Sequence, residues 1–245
     1  MFNTSEIRHY VELYHIILSR HHIQVSDRDL DAIYTLIMLT FQLDDLYDLD
    51  DTLPTHLQLA PIKTAMVAQI PNSHAIGIKS IESLFQAMHK ETVSDLRQSL
   101  DHYLSVCRNS IGAQLISGYL ASKENIDPDI WFSPFIAQIN NDMGDIIRLA
   151  NDYLDMTVDQ SRVDEEKTQL KSAHFFRSKL EFKYYLYCRV ITHKFHYHTH
   201  LIRFEYLNFS ASKHDYLRAI HCAESVLDLA IKAYIADKRS GRSQN

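Results

Sequence analysis

A short acidic run follows the second apolar segment of the chain. Residues 41–51 read FQLDDLYDLDD, and in a helix Asp44 and Asp48 share one face, with Asp45 beside them. Like charges four residues apart destabilise a helix, and the helix dipole disfavours anions near the C-terminus. A hard divalent cation would relieve both costs, and Mg²⁺ commonly combines one or two carboxylates with phosphate oxygens. We therefore predict that these three aspartates bind metal; the alternative is a solvated acidic loop.

A second stripe of oxygen ligands lies about one hundred residues further on. Residues 148–159 read RLANDYLDMTVD, so that Asn151, Asp155 and Asp159 fall at i, i+4 and i+8 on one helical face. Most of the neighbouring residues are apolar, and burying carboxylates without partners is costly. The spacing favours a second metal-binding stripe over its alternative, an ordinary polar helix face.

Three histidines also share a predicted helical face, namely His193, His196 and His200. Imidazole nitrogens bind zinc well. No carboxylate or cysteine stands at ligand spacing in the sequence around them, so the favoured interpretation is a polar helix face.

The elements that carry these residues are predicted to be long helices. The 245 residues include only 5 Gly and 5 Pro, which is well below the usual content of these residues. Hydrophobic residues make up 46% of the chain, which is sufficient for one core. Because turns are few, we expect an all-α fold with a single domain over 1–239 and a disordered tail over 240–245.

Apolar periodicity and turn residues divide the chain into successive helices. Gly112 and Gly118 predict a break or a close backbone approach in one of them. Asp127 and Pro128 are typical of an N-cap and first helical position. The first predicted helices cover 7–18 and the segment from Ser26 to the acidic run, followed by at most a short helix over 61–70. Two further helices are predicted over 73–90 and 94–117. The next is opened by Asp127 and continues past Pro134 to Val158, and two or three helices follow over 164–236.

Composition excludes several classes of protein. A formal net charge of -6 without a Lys/Arg-rich run argues against nucleic acid as a partner. No segment approaches 18 uninterrupted apolar residues, so no membrane span is expected. Three distant cysteines without CxxC spacing indicate reduced thiols, and the N-terminus lacks a targeting pattern. We expect a cytoplasmic location.

Both acidic motifs resemble those of bacterial class I terpene synthases. Asp44, Asp45 and Asp48 match the DDxxD element of that family. Asn151, Asp152, Asp155 and Asp159 match the ND-x-x-S-x-x-x-E element, preceded by Arg148 and Leu149. The chain departs from the pattern at Asp155, where Ser or Thr is usual, and at Asp159, where Glu is usual. The resemblance implies three Mg²⁺ ions, with Mn²⁺ as a substitute. Asp44, with Asp48, would bind two of them, and Asn151, Asp155 and Asp159 the third.

The same resemblance suggests residues that bind substrate. In CRNSIGAQL, Arg108 and Gly112 stand at the spacing of the family's pyrophosphate-sensing arginine and effector glycine, and both are candidate catalytic residues. Lys238 and Arg239 fall roughly where many relatives carry an Arg-Tyr pair over the diphosphate. Arg148 completes the candidates for binding diphosphate. The candidates for the hydrocarbon pocket are Met38, Phe41, Gly144 and Ile147. Further aromatic residues could line the pocket, although core packing is the favoured interpretation for each of them: Phe85, Tyr119, Trp131, Phe132, Phe135, Tyr184 and Tyr187.

Together these matches imply a helical bundle with a central active-site cavity. The first motif begins about forty residues into the chain, earlier than is usual in the family, so its N-terminal helices are expected to be abbreviated. The implied enzyme is a lyase that ionises a linear or bicyclic prenyl diphosphate of fifteen or twenty carbons and cyclises the cation to a sesquiterpene or diterpene. A homodimer is compatible with the family. The alternatives are a chain-elongating prenyltransferase, which would need two DDxxD motifs, and a non-enzymatic helical binding protein.

Overall fold

Helices account for all the regular structure described in this protein. The computed structural model describes residues 13–48, 53–158, 172–206 and 213–239. Within these ranges it leaves out the side chains of 154–158, 172–173, 200–201, 203–206 and 233–239. The helices are α1 (13–20), α2 (Asp27–Asp48), α3 (His56–Gln69), α4 (Ala75–Val93), α5 (Leu100–Cys107), α6 (Ala113–Lys123), α7 (Pro128–Trp131), α8 (Pro134–Val158), α9 (Lys179–Tyr206) and α10 (Lys213–Arg239), with 3₁₀ turns at Pro71–Ser73 and Ser172–Phe175. The predicted all-α class is confirmed, whereas the predicted disordered tail lies outside the described residues.

Side-chain caps set the start of α2 and α7 where the sequence predicted them. Before α2, Ser26 Oγ accepts a hydrogen bond from Asp29 N at 3.3 Å, and Asp29 Oδ2 accepts one from Ser26 N at 2.8 Å. This reciprocal pair satisfies amide groups that have no partner within the helix. Before α7, Asp127 Oδ1 accepts from Asp129 N at 2.9 Å, with Pro128 in the first turn. The helix that Asp127 opens ends at Trp131, and α8 is a separate helix beginning at Pro134.

The predicted helix over 94–117 is two helices, which begin later than expected. Ser99 caps α5 by accepting from His102 N at 3.1 Å, and Asp95 Oδ1 accepts from Arg97 N at 3.1 Å in the preceding turn. The break falls at Gly112, whose φ of 76° lies in the left-handed region that favours glycine. Gly118 causes no break. It allows close packing, since a Cβ there would lie 2.1 Å from Ser80 Oγ of α4.

The region around Pro61 differs from its prediction. Proline was expected to confine any helix to 61–70, but α3 begins at His56 and contains Pro61. Thr55 and Gln58 form a capping box that starts the helix five residues earlier. Proline leaves the carbonyl four residues before it without a partner in the helix. That carbonyl belongs to Leu57, whose residue is 85% exposed, so water can hydrogen-bond to it.

Two hydrophobic clusters fix the helices that carry the acidic motifs. The main core joins α2, α4, α6, α8 and α10, and includes Leu36, Ile81, Leu120, Ile139 and Leu227. A smaller cluster lies where α5 meets α8 and α9, and its buried members are Leu96, Tyr103, Leu104, Cys107, Leu149 and Phe182. The first stripe therefore extends from the main core, and the second begins beside the smaller cluster.

Candidate functional site

The carboxylates at the end of α2 emerge from a buried apolar face. Leu36 and Leu43 are fully buried and hold α2 against the core. Asp44, Asp45 and Asp48 follow in the last turns of the helix and are exposed. The helix dipole brings further negative potential to this end. The structure thus presents three carboxylates to solvent at the helix end where the dipole disfavours anions.

The Asp44 carboxylate is desolvated by nearby protein atoms although the residue remains accessible to water. Desolvation is the largest cause that raises its pKa, to about 7, followed by repulsion from Asp48 and Glu91 and a smaller effect of Asp45. Arg148 opposes this rise in pKa but does not cancel it. Asp44 is therefore a crowded carboxylate whose negative charge a bound cation would stabilise.

Arg148 connects α8 to the helices on either side of it. Its Nη2 pairs with Glu91 of α4 at 2.8 Å, and its Nε donates to Tyr103 Oη of α5 at 2.8 Å. Nη1 donates to Ser110 Oγ at 3.3 Å, and Nε lies 3.2 Å from Asp152 Oδ1. Tyr103 in turn donates to Asp152 Oδ2 at 2.7 Å. This buried network holds the start of the second motif against α4 and α5, within electrostatic reach of Asp44.

The second stripe is described only in part. Asn151 is half-buried on α8, Asp155 lies in the same helix without a described side chain, and Asp159 lies outside the described residues. Among the described side chains, no group of three or more His, Cys, Asp or Glu residues is arranged to hold a metal ion. The donor set nevertheless suits a hard cation, because it consists of oxygens and the crowding at Asp44 would be relieved by positive charge. The full set of ligands remains a prediction.

Arg108 and Gly112 occupy the turn between α5 and α6. Arg108 Nε donates to Leu104 O at 3.1 Å and lies 3.0 Å from Asp145 Oδ1 of α8. Gly112 contacts α2, since a Cβ on it would lie 3.0 Å from the Thr40 methyl group, one turn before Asp44. The turn that carries both predicted catalytic residues therefore touches the helix of the first motif.

The other predicted substrate-binding residues lie in different surroundings. Phe41 is exposed, Met38 half-buried and Ile147 buried. Gly144 is buried against α5, where a Cβ would lie 3.0 Å from Arg108 O. Lys238 and Arg239 end α10, without described side chains. Among the aromatic candidates, Tyr119 and Trp131 are buried, Phe85 and Phe135 are half-buried, and Phe132, Tyr184 and Tyr187 are exposed.

An open depression also lies beside α1. It is lined by His15, Ser19, His22, Ile23, Gln24 and Val25. It shares no lining residue with either acidic motif. The central cavity expected from the resemblance therefore remains a prediction.

The predicted polar histidine face is corrected by the structure. His193 is buried and hydrogen-bonds through Nε2 to Glu224 of α10. His196 Nδ1 lies 3.5 Å from Asp142 Oδ2 of α8, and His200 has no described side chain. The carboxylate partners that the local sequence lacked come from other helices. These contacts join α8, α9 and α10.

Sequence reasoning did not single out Glu91, Tyr103, Asp145 or Arg189. Each acts through a partner on another helix, and no local spacing marks such a pair. The nearest signal was the abundance of charged and tyrosine residues in segments with helical periodicity.

The fold and the site define a helical protein that gathers carboxylates and arginines where α2, α4, α5 and α8 meet. Residues 64–170 match the family described as terpene synthase family 2, C-terminal metal binding. This match supports a terpene synthase family assignment, and the family description indicates a metal-binding domain. It spans Arg108, Gly112 and the second acidic stripe, while the first acidic motif precedes it. No curated protein matches the chain. None of the described helices has the length and apolar character needed to cross a membrane.

Proposed function

We propose that this protein is a class I terpene synthase that ionises a prenyl diphosphate of fifteen or twenty carbons and cyclises the resulting cation. The observation that carries this proposal is the position of Asp44. It lies among Asp45, Asp48 and Glu91, within reach of Arg148 on the second motif's helix, and its pKa is raised to about 7. An arginine of the helix that carries the second motif thus acts on a carboxylate of the first, and a cluster of carboxylates beside a cationic side chain suits a multiply charged anion bridged by cations.

Mg²⁺ would be held by Asp44, Asp45 and Asp48 on one side and by Asn151, Asp155 and Asp159 on the other. When bound, it supplies the positive charge that stabilises the departing diphosphate. Arg108 orients the diphosphate through its guanidinium, and Gly112 directs a backbone carbonyl dipole at the prenyl carbocation. Apolar side chains such as Met38 and Ile147 exclude water, which would quench the cation. Aromatic faces stabilise positive charge by on the order of 0.5–2 kcal/mol per contact.

Arg108 provides a test that does not require the natural substrate. A guanidinium can bind a diphosphate through two parallel hydrogen bonds, and an ammonium cannot reproduce that geometry. Arg108→Lys should weaken the affinity for inorganic diphosphate in Mg²⁺ about ten- to a hundredfold, measured by calorimetry. Arg97→Lys is the matched control, because Arg97 is an exposed arginine in the turn before α5. Equal affinities of wild type and Arg108→Lys would remove Arg108 from the site.

Asp155 tests the second stripe. Asp155→Ser restores the residue usual in the family and keeps an oxygen ligand, so appreciable turnover should remain. Asp155→Ala removes the oxygen and should increase the Mg²⁺ concentration needed for half-maximal turnover. Identical behaviour of the two variants would argue against Asp155 as a ligand.

A further inference from the structure

A buried carboxylate on α8 pairs with two arginines, one from the turn after α5 and one from α9. Asp145 is 4% exposed. Its Oδ1 lies 3.0 Å from Arg108 Nε, and its Oδ2 accepts a hydrogen bond from Arg189 Nη2 of α9 at 2.6 Å. Arg189 also lies 4.0 Å from Asp142 Oδ1. Arg108, the residue proposed to grip the diphosphate, is therefore held beside an anion.

The packing around this carboxylate brings α5 and α8 into close contact. Gly144 precedes Asp145, and a Cβ on Gly144 would lie 3.0 Å from Arg108 O and 3.3 Å from Arg108 Cβ. A side chain at 144 would therefore require its neighbours to shift by a few tenths of an ångström. The absence of a side chain thus lets Asp145 reach Arg108.

Two cations on one buried carboxylate have a physical consequence. Burial raises the pKa of Asp145 to about 6 although Arg108 and Arg189 both lower it. A buried ion that loses its partner is strongly destabilised. If Arg108 turned toward a diphosphate, a carboxylate without a second cation would oppose the movement. Arg189 supplies that second cation.

We propose that Asp145 is the resting-state counter-ion of Arg108, and that Arg189 is a positioning residue which keeps Asp145 paired while Arg108 binds diphosphate. This inference rests on the proposed function, since it assumes a diphosphate ligand. Arg189 does not touch the diphosphate. It lowers the cost of releasing Arg108 from α8.

Calorimetry with inorganic diphosphate and Mg²⁺ tests the proposal with the full chain. Arg189→Gln should weaken binding about tenfold or more, because Asp145 then retains Arg108. Arg189→Lys keeps the charge and should bind close to wild type. Asp145→Asn frees Arg108 and should bind as tightly as wild type or more tightly. The double variant Arg189→Gln/Asp145→Asn should recover the affinity that Arg189→Gln loses.

This recovery separates positioning from a purely structural role. If the two side chains only stabilised α8 against α9, both single variants would weaken binding and the double variant would not recover it. Arg218→Gln is the matched control, because Arg218 has a similar side-chain exposure, 32% against 31%, and pairs with Asp215 and Glu124 instead. It should bind as wild type does. Circular dichroism checks that each variant is folded.

The outcomes distinguish this inference from the proposed function. If the wild-type protein binds diphosphate and Arg189→Gln binds it with the same affinity, only the role of Arg189 is overturned. If Arg189→Gln does not fold, Asp145→Asn still decides, because weaker binding by that variant would overturn the inference. A wild-type protein that binds no diphosphate in Mg²⁺ would overturn both proposals.

Discussion

The carboxylates at the end of α2 and those between α8 and α10 are surrounded by opposite kinds of neighbours. Asp44 lies among other carboxylates, and its pKa is raised to about 7. Glu224 is 1% exposed, yet His193 and Lys194 hold its pKa below the usual range despite burial. Carboxylates lie close to one another at the end of α2, whereas Glu224 is paired with a histidine and a lysine. The first has the electrostatics of a cation site, and the second serves to join helices.

The largest effect that would test this comparison is on turnover. Asp44→Ala should reduce product formation by at least about a hundredfold, because a metal ligand supports several kcal/mol of charge stabilisation. The free energy of unfolding should stay constant or rise by a few tenths of a kcal/mol, since like charges are removed. Diphosphate release and urea denaturation measure the two quantities. Glu82→Gln, an exposed carboxylate on α4, is the control. Activity within a few-fold of wild type would refute the metal assignment.

Glu224 should respond in the opposite way. Glu224→Ala removes one partner of a buried network and should lower the free energy of unfolding by about 3 kcal/mol. Its partners are His193 and Lys194, the latter at 2.5 Å. Glu82→Ala, which breaks an exposed pair with Lys63 at 4.0 Å, should cost less than about 1 kcal/mol. Similar losses in urea denaturation would mean that the buried pair has no special role.

The pH dependence of stability should separate His193 from other groups. Hydrogen bonds to Asp142 and Glu224 raise its pKa against the effect of burial. A raised histidine pKa stabilises the fold below pH 6.5, the unfolded value, and this contribution is lost as the pH rises through the folded pKa. Glu224 has a lowered pKa, so its contribution is lost instead as the pH falls below 4.5.

Urea denaturation between pH 6 and 9 measures the histidine contribution. Wild type should lose stability across this range, and His193→Asn should show a flatter profile. Equal slopes in the two proteins would show that His193 does not titrate as a charged partner of Glu224.

A smaller effect is expected away from both charged regions. Gly118→Ala should cost about 1 kcal/mol, because its Cβ would meet Ser80 Oγ at 2.1 Å and Ser80 Cβ at 2.8 Å. Ser80→Ala in the same chain should recover part of the loss, because it removes the hydroxyl. Thermal unfolding of both variants checks this, and a stabilised Gly118→Ala protein would contradict the packing described here.

Local signals in the sequence predicted much of the helical structure. The Ser26 and Asp127 caps and the break at Gly112 are contained in a few neighbouring residues. Pro61 misled the prediction because the capping box at Thr55 and an exposed carbonyl allow proline within α3. The predicted start at residue 94 was too early, because the cap at Ser99 begins α5 at Leu100.

The site could be predicted only where its residues share one helix. Asp44 and Asp48, or Asn151 and Asp155, are connected by helical spacing alone. Arg189 and Asp145 are 44 residues apart, and Arg148 and Tyr103 are 45 apart. Such pairs depend on how helices pack, which no spacing within one helix encodes.

Product analysis tests the central claim most directly. The protein would be incubated with Mg²⁺ and, separately, with linear prenyl diphosphates of ten, fifteen and twenty carbons, and the extracts analysed by gas chromatography with mass spectrometry. The account predicts a cyclic hydrocarbon or alcohol from the fifteen- or twenty-carbon substrate, with release of inorganic diphosphate and loss of both in Asp44→Ala. Acyclic products alone, or no turnover of any substrate by the folded wild-type protein, would contradict it.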